Sequence, residues 1–220
     1  MEKRDSRPLY GAALTAAAVV LAVRAMDGFC WSDESFYLTF AQRLWNGQKL
    51  ILDEWHPVQF YSALFYPILS LYHVLFGNRG IYLFAREVYV ALAFGTAMLL
   101  YRMLCRKCAP FTSFLCAGLF LCYSRGNIWG LSYYNLFLTF CLLFACSALR
   151  KRPWAWCLGG VCLAAAVLCV PYFALFVIPG LIAALCIPKL RKRAGWTASG
   201  IWILAAVFLL FFLPKDIGGV

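Results

Sequence analysis

The feature that most constrains this chain is a series of apolar runs, at about residues 8–26, 58–77, 81–103, 109–124, 128–149, 154–170, 172–188 and 196–213. A run of about 20 apolar residues is long enough to cross a bilayer as a helix. In hydrocarbon every backbone N–H and C=O must find a partner, and a helix supplies all of them within one segment. Composition agrees: 64% of the residues are hydrophobic and 13% charged, against roughly a quarter charged in soluble domains. The expected fold class is all-α, a polytopic transmembrane helix bundle forming a single membrane domain over residues 1–220.

The basic residues set its orientation. They fall in four clusters, Lys3/Arg4/Arg7, Arg102/Arg106/Lys107, Arg150-Lys151-Arg152 and Lys189/Arg191/Lys192/Arg193. The net charge of +11 would suit nucleic acid, but this distribution argues against such a partner, because there is no basic face with interleaved aromatics. Basic clusters between apolar runs are the pattern of cytoplasmic loops. With the N-terminus inside and all eight runs crossing, the three later clusters fall outside. If the run 58–77 does not cross, all four become cytoplasmic at once. That run carries Gln59, Pro67 and His73, four aromatic residues in its first half and Gly77-Asn78 at its end. It reads as a helix along the outer interface, where aromatic rings are favoured. The expectation is a multi-pass integral membrane protein with a cytoplasmic N-terminus, in a bacterium a protein of the plasma membrane. It has about seven spans, and residues 27–80 form one extracytoplasmic loop. No small-residue cleavage site follows the first run, which is expected to remain as a span.

The eleven cysteines lie mostly inside apolar runs, where they act as small polarizable hydrophobes. Cys105-Arg-Lys-Cys108 has CxxC spacing, but no second pair follows at zinc-site distance, so it reads as two unrelated thiols.

Chemistry concentrates at residues 31–60, WSDESFYLTFAQRLWNGQKLILDEWHPVQF, which hold four of the nine carboxylates as Asp33-Glu34 and Asp53-Glu54. Ser32 is a good N-cap, with Asp33 and Glu34 in the first turn, where negative charge suits the helix dipole. Phe36, Leu38, Phe40, Ala41, Leu44 and Trp45 form an apolar helical face, and Asn46-Gly47 ends the helix. Asp53-Glu54 precede a second helix, with Pro57 near its first turn. Both acidic pairs are thus expected at helix N-termini on the outer face, making two juxtamembrane helices in the first loop. Such pairs could do acid–base work or hold a divalent cation through oxygen; the alternative is simple capping. His56, Trp31 and Trp55 in the same loop favour a site. Arg86 and Glu87 lie near the outer end of the run 81–103, and ionisable groups within a span are functional or paired. Arg125 lies in the outer loop Tyr123-Ser-Arg-Gly-Asn127. Tyr133, Tyr134 and Asn135 open the next run on the same side.

In this order the chain resembles a known family. One span, Asp33-Glu34, an outer helix ending Trp45-Asn-Gly47, Asp53-Glu-Trp-His-Pro57, a second outer helix, then Gly80 and Arg86 opening the next span are similar to the membrane glycosyltransferases of the GT-C fold. The likeness is to the protein O-mannosyltransferase and aminoarabinose transferase branch and covers about residues 8–190. It implies a cell-envelope transferase moving a sugar from a polyprenyl-phosphate donor to a glycan, lipid or protein acceptor on the extracytoplasmic face. Asp33 would be the catalytic base, with Glu34 assisting it. Arg86 and Arg125 would bind the donor phosphate. Asp53, Glu54, His56, Tyr37, Tyr133, Tyr134 and Asn135 would contact substrate, and a divalent metal, if used, would sit on Asp33, Asp53 and Glu54. Asn135 stands nearest to where many relatives carry an aspartate. Relatives also have more spans, so the chain reads as a truncated protein or a fragment. The alternative is a non-catalytic membrane protein, or a lipid or solute transporter, with a capped acidic outer loop.

Overall fold

The computed structural model describes residues 6–28, 33–53, 56–123 and 129–212; of Asp33 it describes the backbone alone. Among these residues every regular element is a helix, and there is no strand. The elements are α1 (Arg7–Ala25), α2 (Asp33–Trp45), α3 (Ser62–Phe76), α4 (Ile81–Leu104), α5 (Pro110–Cys122), α6 (Tyr133–Ala148), α7 (Pro153–Cys169), α8 (Ala174–Cys186) and α9 (Pro188–Phe212), with 3₁₀ turns at Gln59–Tyr61 and Pro171–Phe173.

Three helices, α1, α4 and α9, are long and apolar enough to cross a membrane. The other apolar runs after residue 104 fold into helices of 13 to 17 residues. At 1.5 Å per residue the shortest of these rise only about 20 Å, less than the ~30 Å of a hydrocarbon core. The helix over the run 58–77 is also short, at 15 residues with Pro67 inside it.

Two local expectations are corrected. The basic cluster at 189–193 is not a loop: α9 begins at Pro188 and takes the cluster into its first turns. Proline is pre-organised for the first helical position, and Lys and Arg are good helix formers. The second acidic pair is not at a helix start either. Asp53 lies in a turn of its own, and α3 begins only at Ser62, after the 3₁₀ turn. Pro57 disfavours helical geometry at the residue before it, so the helix forms downstream.

The chain divides into two compact units, residues Met1–Glu34 with Tyr82–Leu131, and Ser35–Ile81 with Ser132–Val220. In the first unit α1 and α4 run antiparallel and are tied at both ends. The Tyr101 hydroxyl donates to the Arg7 carbonyl at 2.9 Å. At the opposite end Arg86 donates to the Ala25 carbonyl at 2.7 Å. Leu14 is buried, and Tyr10 stacks on Phe114 of α5 at 5.1 Å.

In the second unit α7 packs against α6 and α9, and α8 against α9. Two adjacent glycines of α7 make this possible. A Cβ on Gly159 would press on Ser147 and Phe144 of α6, and one on Gly160 would overlap the Thr197 backbone of α9. Reciprocally, a Cβ on Gly200 would overlap the Cys157 carbonyl. Small residues that let backbones touch are the means by which apolar helices associate without a hydrophobic drive between them. The helices α2 and α3 are joined by a polar clip. Trp45 stacks on His73 at 4.5 Å and 10°, and its indole N–H donates to the Ser70 hydroxyl at 2.6 Å.

Candidate functional site

The first candidate site is built around Arg86 in the second turn of α4. Its Nε and Nη2 donate to the two carboxylate oxygens of Glu34, at 2.5 and 2.6 Å. Its Nη1 donates to the carbonyls of Ala25 at 2.7 Å and Asp27 at 3.5 Å, and Nη2 also to that of Gly28 at 2.9 Å. A guanidinium has five N–H donors in a planar fork, and here all five meet an acceptor. Both side chains are buried, Arg86 8% and Glu34 6% exposed. The last carbonyls of a helix have no partner within it and favour a nearby cation. Arg86 supplies that cation to α1 from another helix while its fork holds the carboxylate that opens α2. Gly28, at φ +79, lets the chain turn so that its carbonyl joins the set. Next to Arg86, the Glu87 Oε1 is buried and meets no hydrogen-bond donor among the described residues.

The second cluster lies in the other unit and is aromatic. Tyr37 meets Tyr61 and Tyr133 edge-on, at 6.3 and 5.8 Å, and Tyr61 lies 6.1 Å from Tyr133. Tyr133 and Tyr134 are in contact at 3.8 Å. His56 sits edge-on to Phe36 at 5.0 Å and tilted against Phe40 at 5.7 Å. The buried Tyr61 hydroxyl donates to the Tyr37 carbonyl at 2.6 Å. Burial holds that phenol well above its ordinary range, aided by the neighbouring Tyr37, Cys169 and Tyr133. Asn135 is buried one turn into α6, its N–H donating at 3.3 Å to the hydroxyl of Ser132, which caps the helix.

Of the residues expected to contact substrate, Tyr37, His56, Tyr133 and Tyr134 are therefore linked through one chain of ring contacts. Asp53 is occupied locally, accepting from the Lys49 N–H at 2.6 Å. That turn is strained. Ile51 has φ +74, where a β-branched residue is a genuine outlier. Its N–H is held by the buried Gln59 amide oxygen at 2.8 Å. Glu54, Arg125, the N-cap Ser32, Trp31, Trp55 and the Asp33 side chain lie outside the described residues. A divalent metal needs several convergent oxygen ligands, and no three His, Cys, Asp or Glu side chains gather among the described residues.

Three features escaped the sequence reading. The carbonyls that Arg86 caps carry no letter of their own, although Asp27-Gly28 is a turn signal that marks the place. Tyr37 stands outside the apolar face that the sequence pattern marks on α2, yet the buried stripe runs through Glu34, Tyr37, Leu38 and Ala41 while Phe36 is 39% exposed. The Trp45, Ser70 and His73 clip has residues 25 and 28 positions apart, beyond any local periodicity. Compared with known proteins, the chain matches no family model, no curated protein and no solved structure.

Proposed function

We propose that this chain is a membrane glycosyltransferase of the GT-C type, with about seven spans, moving a sugar from a polyprenyl-phosphate donor to an acceptor on the extracytoplasmic face. The observation that carries the reading is the anchoring of the first turn of α2. Glu34 is held by both oxygens on a buried arginine, so the backbone that bears Asp33 is fixed with it. A base in a transfer reaction has to be held in such a way, since an error of 1 Å costs about a hundredfold in rate.

In this reading Asp33 accepts the acceptor's proton as the acceptor oxygen or nitrogen bonds to the anomeric carbon. The bond from that carbon to the phosphate oxygen breaks, and the lipid phosphate leaves with the electron pair. Its charge is met by Arg125, while Arg86, with five donors already engaged, acts as a positioning residue. Tyr37, His56, Tyr133 and Tyr134 supply aromatic surface for sugar. The test is transfer of labelled sugar from lipid-linked donor by the purified chain in lipid, with and without chelator. Asp33→Asn should abolish transfer at an unchanged melting temperature. Absence of transfer by the wild-type chain from any polyprenyl-linked sugar would reject the proposal.

The saturation of Arg86 favours a second reading, a non-catalytic or lipid-handling membrane protein whose acidic loop is structural. There Asp33→Asn would lower stability through a weakened helix start and leave no turnover to lose.

A further inference from the structure

From Val88 to Lys215 the chain contains twelve Lys or Arg residues and not one Asp or Glu. Residues 132–215, most of the second unit, are therefore cationic with no carboxylate side chain among them. The imbalance is sharpest at the start of α9, where Lys189, Arg191, Lys192 and Arg193 occupy the first turns with no acid among them. Helix dipoles already make such an end positive. Arg191 is used locally, its Nε donating to the Leu185 carbonyl at 3.2 Å. Arg193 instead lies over the ring of Trp156, 5.2 Å from its centroid. Trp156 is itself fixed by an indole N–H bond of 2.6 Å to the Arg150 carbonyl, at the Arg150-Lys151-Arg152 cluster.

Arg193 stands at the edge of a cavity of about 480 Å³ between α6, α7, α8 and α9. The walls are apolar, with Phe144, Leu163, Phe176 and Leu181 among them, and Arg193 and Thr197 are the polar side chains apart from the Trp156 indole. This volume lies within the ~300–1,000 Å³ of small-molecule sites. A water-soluble anion would find one cation and almost no other hydrogen-bonding partner. A molecule with an apolar chain and an anionic head would satisfy both ends.

We propose that this groove binds one anionic phospholipid, with an acyl chain among the apolar walls and the phosphate at Arg193. Basic pockets between membrane helices are suited to such headgroups, and the missing carboxylates leave the lipid as the counter-ion. The inference rests on the chain residing in a membrane and not on sugar transfer.

The test uses the full chain in nanodiscs containing brominated phosphatidylglycerol or brominated phosphatidylcholine, read by quenching of tryptophan fluorescence. The Trp156 signal is the difference between wild type and Trp156→Phe. We expect the anionic lipid to quench it at about five-fold lower mole fraction, the ratio corresponding to one basic side chain near the headgroup. Arg193→Gln should bring the two lipids to parity and Arg193→Lys should keep most of the preference. Gly180→Phe should lower quenching by both lipids. Gly180 lines the cavity, and a Cβ there meets nothing within 4 Å, so a side chain added at this position starts from open space at the groove wall. Equal quenching by the two lipids in the wild type overturns the proposal. So does loss of the preference on adding millimolar inorganic phosphate at constant ionic strength, which would mark a site for free phosphate.

Discussion

Arg86 has five N–H donors and five acceptors, and that balance fixes what a substitution there must do. Removing one partner of a buried ion pair costs about 3–5 kcal/mol, so Arg86→Ala and Glu34→Ala should each lower thermal stability in detergent by an amount of that order. Arg86→Lys keeps the charge but loses the fork, and it should fall between wild type and Arg86→Ala. A melting temperature of Arg86→Lys equal to that of wild type would refute the argument. Ile51 calls for the opposite change. Its left-handed backbone costs of the order of 1–3 kcal/mol for a β-branched residue, and its side chain is 40% exposed. Ile51→Gly should therefore raise stability by about 1 kcal/mol after the entropic cost of glycine; a loss of stability would show that the turn is not under strain. At this scale Arg86 was legible in the sequence as an ionisable group within an apolar run. Its partner was not, because four loop carboxylates have the right chemistry and spacing does not say which one folds back.

Among the elements, the crossing of α7 and α9 depends on contact between backbones. Gly160→Ala puts a methyl into the Thr197 carbonyl and should cost about 1–3 kcal/mol, as overpacking does elsewhere. Gly180→Ala is the control, since it adds the same methyl in open space and gains helix propensity. It should be neutral or stabilising. The two variants should separate in detergent denaturation, and equal effects would show that the crossing is looser than described. Helix existence was well marked by the apolar runs, each of which carries a helix. Helix ends were less so. The start of α9 was hidden because cations read as a loop, and the start of α3 because Asp53 looks like a first-turn acid when it closes the turn from Lys49.

At the level of the whole molecule, the positions of the basic clusters predict that residues 27–80 are extracytoplasmic. Asn78 is exposed just after α3. In a chain with its native cysteines replaced, Asn78→Cys should react with an impermeant thiol reagent added from outside. Reaction only from the cytoplasmic side would reverse the topology and remove the basis for the glycosyltransferase reading. Less of the candidate site than of the fold was legible in the sequence. Tyr37, His56, Tyr133 and Tyr134 were identifiable as aromatics near an interface. That they join one cluster follows from α2, the 3₁₀ turn and α6 meeting, which no local pattern encodes. The carboxylates could be counted but not sorted into those that hold structure and those left for chemistry, because burial decides that division.

The two halves of the Arg86 clamp are 52 residues apart in the chain, and this sets a clock on biogenesis. At about 5–20 residues per second, Glu34 leaves the ribosome some 3 to 10 seconds before its arginine. Throughout that interval the carbonyls of Ala25, Asp27 and Gly28 lack the guanidinium that will meet them, and the Glu34 carboxylate lacks its ion-pair partner. A nascent chain stalled between the two codons presents those groups to whatever surveys newly made membrane proteins. Completion of α4 withdraws them.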